Sequence, residues 1–156
     1  MDDIEELYAV AYRRLVVQLC ALTGDLAEAE DVVQDAFVRA LGRWPRVRAL
    51  DNPEAWLRRV AINLARSRWR RARRGVALRG RERAVQLPDL SPDHVALVRA
   101  LQELPFAQRE AIVLHDLVGL TVAEIAEQQS APEGTVKARL SRGRAAIAPQ
   151  LREADQ

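Results

Sequence analysis

"TVAEIAEQQSAPEGTVKARLSRGRAAI", residues 121–147, carries the pattern on which the fold turns. Thr121 and Glu124 have the hydroxyl-x-x-carboxylate spacing of a capping box, in which each side chain serves a first-turn amide. The short helix they open is predicted to end near Gln128. A three-residue turn, Gln129-Ser130-Ala131, leads into a second helix that Pro132-Glu133-Gly134 announce and Pro149 is expected to close. Successive helical residues turn by about 100°, so Val136, Leu140 and Ile147, with Gly143 between them, share one face, which must be buried. Thr135, Ala138, Ser141 and Arg142 then point away from the core, and Lys137, Arg139 and Arg144 lie on the flanks. A short helix, a tight turn and a longer basic helix form the pattern of a helix-turn-helix.

That last helix has five basic residues and no acid between Thr135 and Arg152. A merely solvated helix face normally mixes acids with bases, because pairs at i,i+4 stabilise it. Basic flanks around a compact polar tip suit a major groove instead, with flanks to phosphates and tip to base edges. Arg142 is the candidate for a bidentate guanine contact, and Ala138 can pack on a thymine methyl.

The rest of the chain reads as helix too. Its 156 residues are 49% hydrophobic and 29% charged, a balance that suits a folded protein of one or two small domains. Ala, Leu, Arg and Glu dominate, all good helix formers, and alternating Val/Ile/Thr runs are absent. The expected fold class is all-α, as two small helical domains. The lone Cys20 allows no internal disulfide and has no zinc-ligand spacing; it reads as a small buried hydrophobe. No apolar run reaches membrane-spanning length, and the acidic "MDDIEELY" start is unlike a signal peptide. A cytoplasmic protein without membrane insertion is expected.

The net charge of +2 conceals a segregation. Residues 1–57 carry six basic and eleven acidic side chains, whereas residues 58–83 carry eleven Arg and one Glu. Residues 84–134 carry two basic and eight acidic, and 135–152 carry five and none. Two acidic-then-basic units in series imply two surfaces for a polyanion.

Helical spacing places Ile4, Leu7, Tyr8, Ala11, Leu15, Leu19 and Leu22 on one face of a first helix that Gly24 ends. A second helix, from about Asp25 to Leu41, has Leu26, Ala29, Val33, Phe37 and Leu41 inward and Glu28, Asp31, Gln34, Asp35 and Arg39 as an outer polar stripe. Pro45 and Pro53 bracket an irregular loop. A third helix, capped by Asp51 or Asn52, runs from Pro53 to about Arg73 and ends as a basic rod. Arg58, Arg59, Arg66, Arg68, Arg70, Arg71, Arg73 and Arg74 line it beside Trp56, Asn63 and Trp69. Arginines next to amide and aromatic side chains suit single-stranded or distorted DNA, or a nonspecific phosphate-binding arm. Three segments are expected: a helical domain over 1–73, a linker over 74–92 rich in Gly and Pro, and a helix-turn-helix domain over 93–156. In the last, Ala96, Leu97, Ala100, Leu101 and Leu104 face inward, and one helix spans Pro105 to Leu117 before Gly119.

Taken together, these segments resemble the extracytoplasmic-function sigma factors, the small two-domain initiation subunits of bacterial RNA polymerase. "AEAEDVVQDAFVRAL" (27–41) is similar to their polymerase-binding helix, "NPEAWLRRVAINLARSRWRR" (52–71) to their −10-reading helix, and residues 101–147 to their −35-reading domain. The resemblance covers nearly the whole chain outside the linker. It implies core RNA polymerase and promoter DNA as partners, with an anti-sigma factor as a possible third. It implies polymerase contacts by Asp31, Gln34, Asp35 and Phe37, although Phe37 reads as core from its spacing. Asn63 corresponds to the −10-contacting Asn, supported by the arginines around it, and the stretch between Trp44 and Pro53 to the loop that captures a flipped base. In the last helix, family base and phosphate contacts fall on Lys137, Ala138, Ser141 and Arg142.

Two features depart from the family. The turn "QQSAPEG" lacks the apolar residues common there, and Ala138 is smaller than the usual Ser. The linker is long enough: about 19 extended residues reach roughly 60 Å, nearly two turns of duplex. No stretch remains for a further domain, so a regulator is expected to be a separate protein.

Two other function classes compete. A two-site DNA-binding regulator acting without polymerase would have no need of the 27–41 stripe. An enzyme on nucleic acid needs clustered carboxylates for metal or an activated nucleophile; here His94 and His115 stand isolated and the acids are spread along helix faces. No catalytic residue, metal site or cofactor is therefore expected.

Overall fold

The computed structural model describes residues 3–75 and 91–154. The expected linker, 74–92, lies outside the described residues except for its first two and last two positions. The chain divides into two compact units, Met1–Ala84 and Val85–Gln156. The described residues contain no strand, so the fold is all-α as composition indicates.

The described residues of the first unit form α1 (Ile4–Thr23), α2 (Leu26–Gly42), α3 (Trp44–Arg48) and α4 (Pro53–Arg74). Each long helix starts on a side-chain cap that accepts a first-turn amide hydrogen: Asp3 from Glu5, Asp25 from Glu28 and Asn52 from Ala55. Gly24 ends α1 at φ 72°, a left-handed conformation glycine adopts without strain. The core joins Leu7, Leu15, Leu19 and Leu22 of α1 to Val32, Val33 and Phe37 of α2 and Leu57 and Ile62 of α4. Ala11, Ala29, Ala36, Ala40, Ala61 and Ala65 are also buried and let the helices approach closely. Burying each Leu side chain contributes roughly 1.5–3 kcal/mol.

Three expectations for this unit change. The stretch after Trp44 is not wholly irregular, because Pro45 opens α3 and buried Val47 anchors it. Leu41 is 62% exposed. The buried arc of α2 runs through Val32, Ala36, Ala40 and Phe37, and Leu41 falls about 40° beyond it. Tyr8 is also exposed; it stacks on Tyr12 at 4.5 Å and meets the edge of Phe37 at 5.0 Å.

The second unit holds α5 (Pro92–Gln102), α6 (Phe106–Ile112), a π-helical turn (Val113–Val118), α7 (Val122–Gln129) and α8 (Glu133–Ala154). Ser91 caps α5. Thr121 and Glu124 make both bonds of the capping box at 3.0 and 3.1 Å, and they hold the Glu124 carboxyl below its ordinary range. Helix α8 packs on α5, α6 and α7 through Val136, Leu140, Gly143 and Ile147, all buried as the helical spacing requires. A Cβ at Gly143 would lie 2.7 Å from Ile112 Cδ1, so the absence of a side chain sets how closely α8 approaches α6.

Here too there are differences. The helix after Pro105 widens into a π-turn from Val113 and stops at Gly119, φ 87°. Pro149 does not close α8, which continues to Ala154. The proline forfeits its bond to the carbonyl of Ala145, but Ala145 is exposed and water can serve it. Among the described residues no helix is long and apolar enough to cross a membrane.

Candidate nucleic-acid interface

On α4 the arginines separate by face. Arg59, Asn63, Arg66 and Arg70 fall within an arc of about 60°; all but the half-buried Arg66 are exposed. Arg66 Nη1 donates to Asn63 Oδ1 at 2.9 Å, which engages the carbonyl end of the exposed carboxamide. Arg70, Arg71 and Arg74 surround a shallow depression with Ser67. The Arg73 guanidinium lies over half-buried Trp69, 4.9 Å from the ring centroid.

Two arginines expected at DNA do not belong to this surface. Arg58 is 5% exposed. Its Nε donates to Gln18 Oε1 at 2.9 Å and its Nη2 to Glu54 Oε2 at 3.2 Å, and Glu54 also holds Arg14. Burial lowers the Arg58 pKa, and the Glu54 carboxylate opposes that shift. Arg68 stands about 180° from Arg59 around the helix and faces α2. It bonds Asp31 at 2.6 Å and Asp35 at 3.2 Å. The spacing of α4 contained both results, but a run of arginines hides it.

The outer stripe of α2 is amphipathic rather than polar. Asp31, Gln34 and Asp35 continue into Val38, 67% exposed, and the exposed Leu41. Gln34 Nε2 donates to Tyr12 Oη at 3.2 Å. Phe37, implied by the resemblance as a polymerase contact, is 6% exposed and packs beneath Tyr8 and Tyr12, as its spacing suggested. Burial confines it to supporting the surface that those tyrosines present.

On α8, Ser141 and Arg142 are exposed opposite the core with Thr135 and Ala138 half-buried beside them, and Lys137 is exposed on the flank. The flanks are tied to neighbouring helices. Arg144 donates to Asp116 Oδ1 at 2.7 Å and lies 3.0 Å from His115 Nδ1. Burial pushes the Asp116 carboxyl up, but bonds from His115 and Arg144 outweigh it and hold it below its ordinary value. His115 is thus not isolated. Arg139 Nη1 donates to Gln129 Oε1 at 2.7 Å.

Arg109 of α6, which periodicity did not single out, is buried within the second unit. It donates to the Gln102 side chain and to the carbonyls of Gln102 and Leu104, and desolvation lowers its pKa to about 10. Its charge therefore persists at neutral pH. Cys20 is buried, and desolvation pushes its thiol up to about 11. Among the described residues no cluster of three His, Cys, Asp or Glu is placed to hold a metal ion.

Sequence comparison extends the geometry. Residues 6–75 match the family model for Sigma-70 region 2, and residues 94–147 match Sigma-70, region 4. The chain is 32% identical over 152 residues to the ECF RNA polymerase sigma factor SigC of Mycobacterium tuberculosis, covering 91% of this chain and 80% of the relative. It is 31% identical over 160 residues to the ECF RNA polymerase sigma factor SigW of Bacillus subtilis, covering 91% and 86%. Its structure is similar to that of the sigma factor RpoE from Bartonella quintana, solved in complex with the anti-sigma factor NepR, with TM-score 0.78, 27% identity, and 97% and 98% of the two chains covered. CnrH, solved with the cytosolic domain of CnrY, matches with TM-score 0.64 and 28% identity over 98% and 89% of the chains. With both sigma-70 regions matched in order and named relatives more than 30% identical over most of their length, the chain belongs to the extracytoplasmic-function family of RNA polymerase sigma factors.

Proposed function

We propose that this protein binds core RNA polymerase and directs it to promoters, reading a −35 duplex with α8 and a −10 single strand with α4. The observation that carries this reading is the assignment of three chemistries to three helices. An acidic and apolar stripe lies on α2, an Asn-Arg face on α4, and a polar tip with basic neighbours on α8.

The stripe of Asp31, Gln34 and Asp35, extended by Val38 and Leu41, suits a basic and apolar groove of the polymerase. Asn63 offers its NH2 to an unstacked base, while Arg59, Arg66, Arg70 and Arg71 serve the backbone around it. On α8, Arg142 and Ala138 read base edges, Thr135, Lys137 and Ser141 secure adjacent phosphates and edges, and Arg139 and Arg144 flank them. Such a protein works in the cytoplasm, without cofactor or catalytic residue of its own, and an anti-sigma factor covering these surfaces would hold it inactive.

Run-off transcription with purified core polymerase on a genomic fragment library tests the reading. Discrete transcripts that require this protein are expected. Their absence with active core would overturn it.

A further inference from the structure

The turn of the helix-turn-helix has only Ala131 and Pro132 as apolar residues, yet one side chain beside it joins three helices. Gln129 is the last residue of α7, just before Ser130, whose φ of 51° is left-handed. Its Nε2 donates to the Ala107 carbonyl at 3.0 Å and to Glu110 Oε2 at 2.6 Å, both on α6. Its Oε1 accepts from Arg139 Nη1 on α8 at 2.7 Å. Glu110 is only 3% exposed.

Chemistry fixes which way the carboxamide points. With NH2 toward the carboxylate and oxygen toward the guanidinium, both ends are attractive; flipping the amide would set oxygen against oxygen and donor against donor. Gln129 therefore relays the charge of Glu110 to Arg139 as an aligned dipole. One of the five guanidinium N–H groups is committed to Gln129 by this bond, which orients the planar fork on the flank of α8. A fork oriented before binding loses less side-chain entropy when it meets an anion.

We propose that Gln129 is a positioning residue that aims the Arg139 guanidinium at a backbone phosphate beside the recognition helix. This rests on the reading of α8 as the −35-binding helix. Gln129 itself does not touch DNA. Arg139 contributes affinity and salt dependence, and Gln129 makes that contribution possible.

A mutant cycle on the full chain assembled with core polymerase tests it. The probe is the promoter duplex that the wild-type holoenzyme selects from a library randomised over the −35 element. Arg139→Ala is expected to weaken binding by roughly tenfold and to lower the salt slope by about one. Gln129→Leu keeps the volume but removes both hydrogen-bonding ends. It is expected to reproduce both effects, and the double variant to be no weaker than Arg139→Ala alone.

A merely structural Gln129 would lower the melting temperature but leave the salt slope intact, with losses that add in the double variant; that result overturns the proposal. A second variant guards against misfolding. Gln129→Met keeps the length of the side chain without either strong hydrogen-bonding end, and is expected to lose about one unit of salt slope. A Gln129→Met protein with native helicity by circular dichroism and the wild-type slope would equally overturn the proposal. If the wild-type holoenzyme selects no −35 sequence at all, the reading of α8 fails, a result distinct from additivity in the cycle.

Discussion

Helices α4 and α8 each run 22 residues and each carry a row of basic side chains, yet they use them differently. On α4, Arg58 is buried against Gln18 and Glu54, and Arg68 reaches across to Asp31 and Asp35, so two of its arginines hold the first unit together. The face left to solvent is the stripe from Arg59 to Arg70, proposed above to meet DNA. On α8 the core contact is wholly apolar, and every basic side chain stays at or near the surface, two of them steadied by partners on neighbouring helices. A count of arginines thus overstates the charge α4 can offer a nucleic acid and describes α8 fairly. The surface pairs on α4 hold little energy, roughly 0–1 kcal/mol each, whereas the buried Arg58 is costly to disturb.

The largest effect expected on either side of this contrast is at Gly143. Gly143→Leu must displace Ile112 and Leu104, and overpacking is expected to cost the second unit roughly 3 kcal/mol. Denaturant unfolding measures it; an unchanged midpoint would mean that α8 does not sit as close to α6 as described. Next comes a paired substitution on α4. Arg58→Ala leaves buried Gln18 without its guanidinium partner and half-buried Glu54 with Arg14 alone, and is expected to destabilise the first unit by about 2 kcal/mol. Holoenzyme salt dependence should hardly move. Arg70→Ala should do the reverse, with unchanged stability and a salt slope lower by about one. If the two behave alike, the division of α4 into structural and DNA faces is wrong. The smallest effect is a specificity change. Arg142→Ala is expected to cost roughly 1–2 kcal/mol, confined to one −35 base pair, in a binding selection.

Periodicity made much of this legible. The buried seam Val136-Leu140-Gly143-Ile147 and the capping residues Asn52 and Thr121 follow from short-range rules that tertiary contacts did not override. Leu41 and Tyr8 were misread because a single helix shows where apolar residues recur but not where its neighbours end. Alanines, not the larger residues, centre the buried arc of α2. Pro149 was misread because the cost of a missing N–H depends on whether water can reach the freed carbonyl. Partners were the least legible of all. Arg58 with Gln18, Arg68 with Asp31 and Asp35, and Gln129 with Glu110 and Arg139 join residues 10 to 40 positions apart, which composition cannot pair.

The central claim is that the α2 stripe docks on polymerase, and equilibrium binding of the labelled protein to purified core enzyme tests it most directly. Wild type should bind in a one-to-one complex, Arg68→Ala should bind at least as well because it uncovers the two carboxylates, and Asp31→Arg with Asp35→Arg should weaken binding by tenfold or more, the loss of two close charge pairs at about 1 kcal/mol or more each. Undiminished binding by the charge-reversed protein, still folded by circular dichroism, would contradict the account.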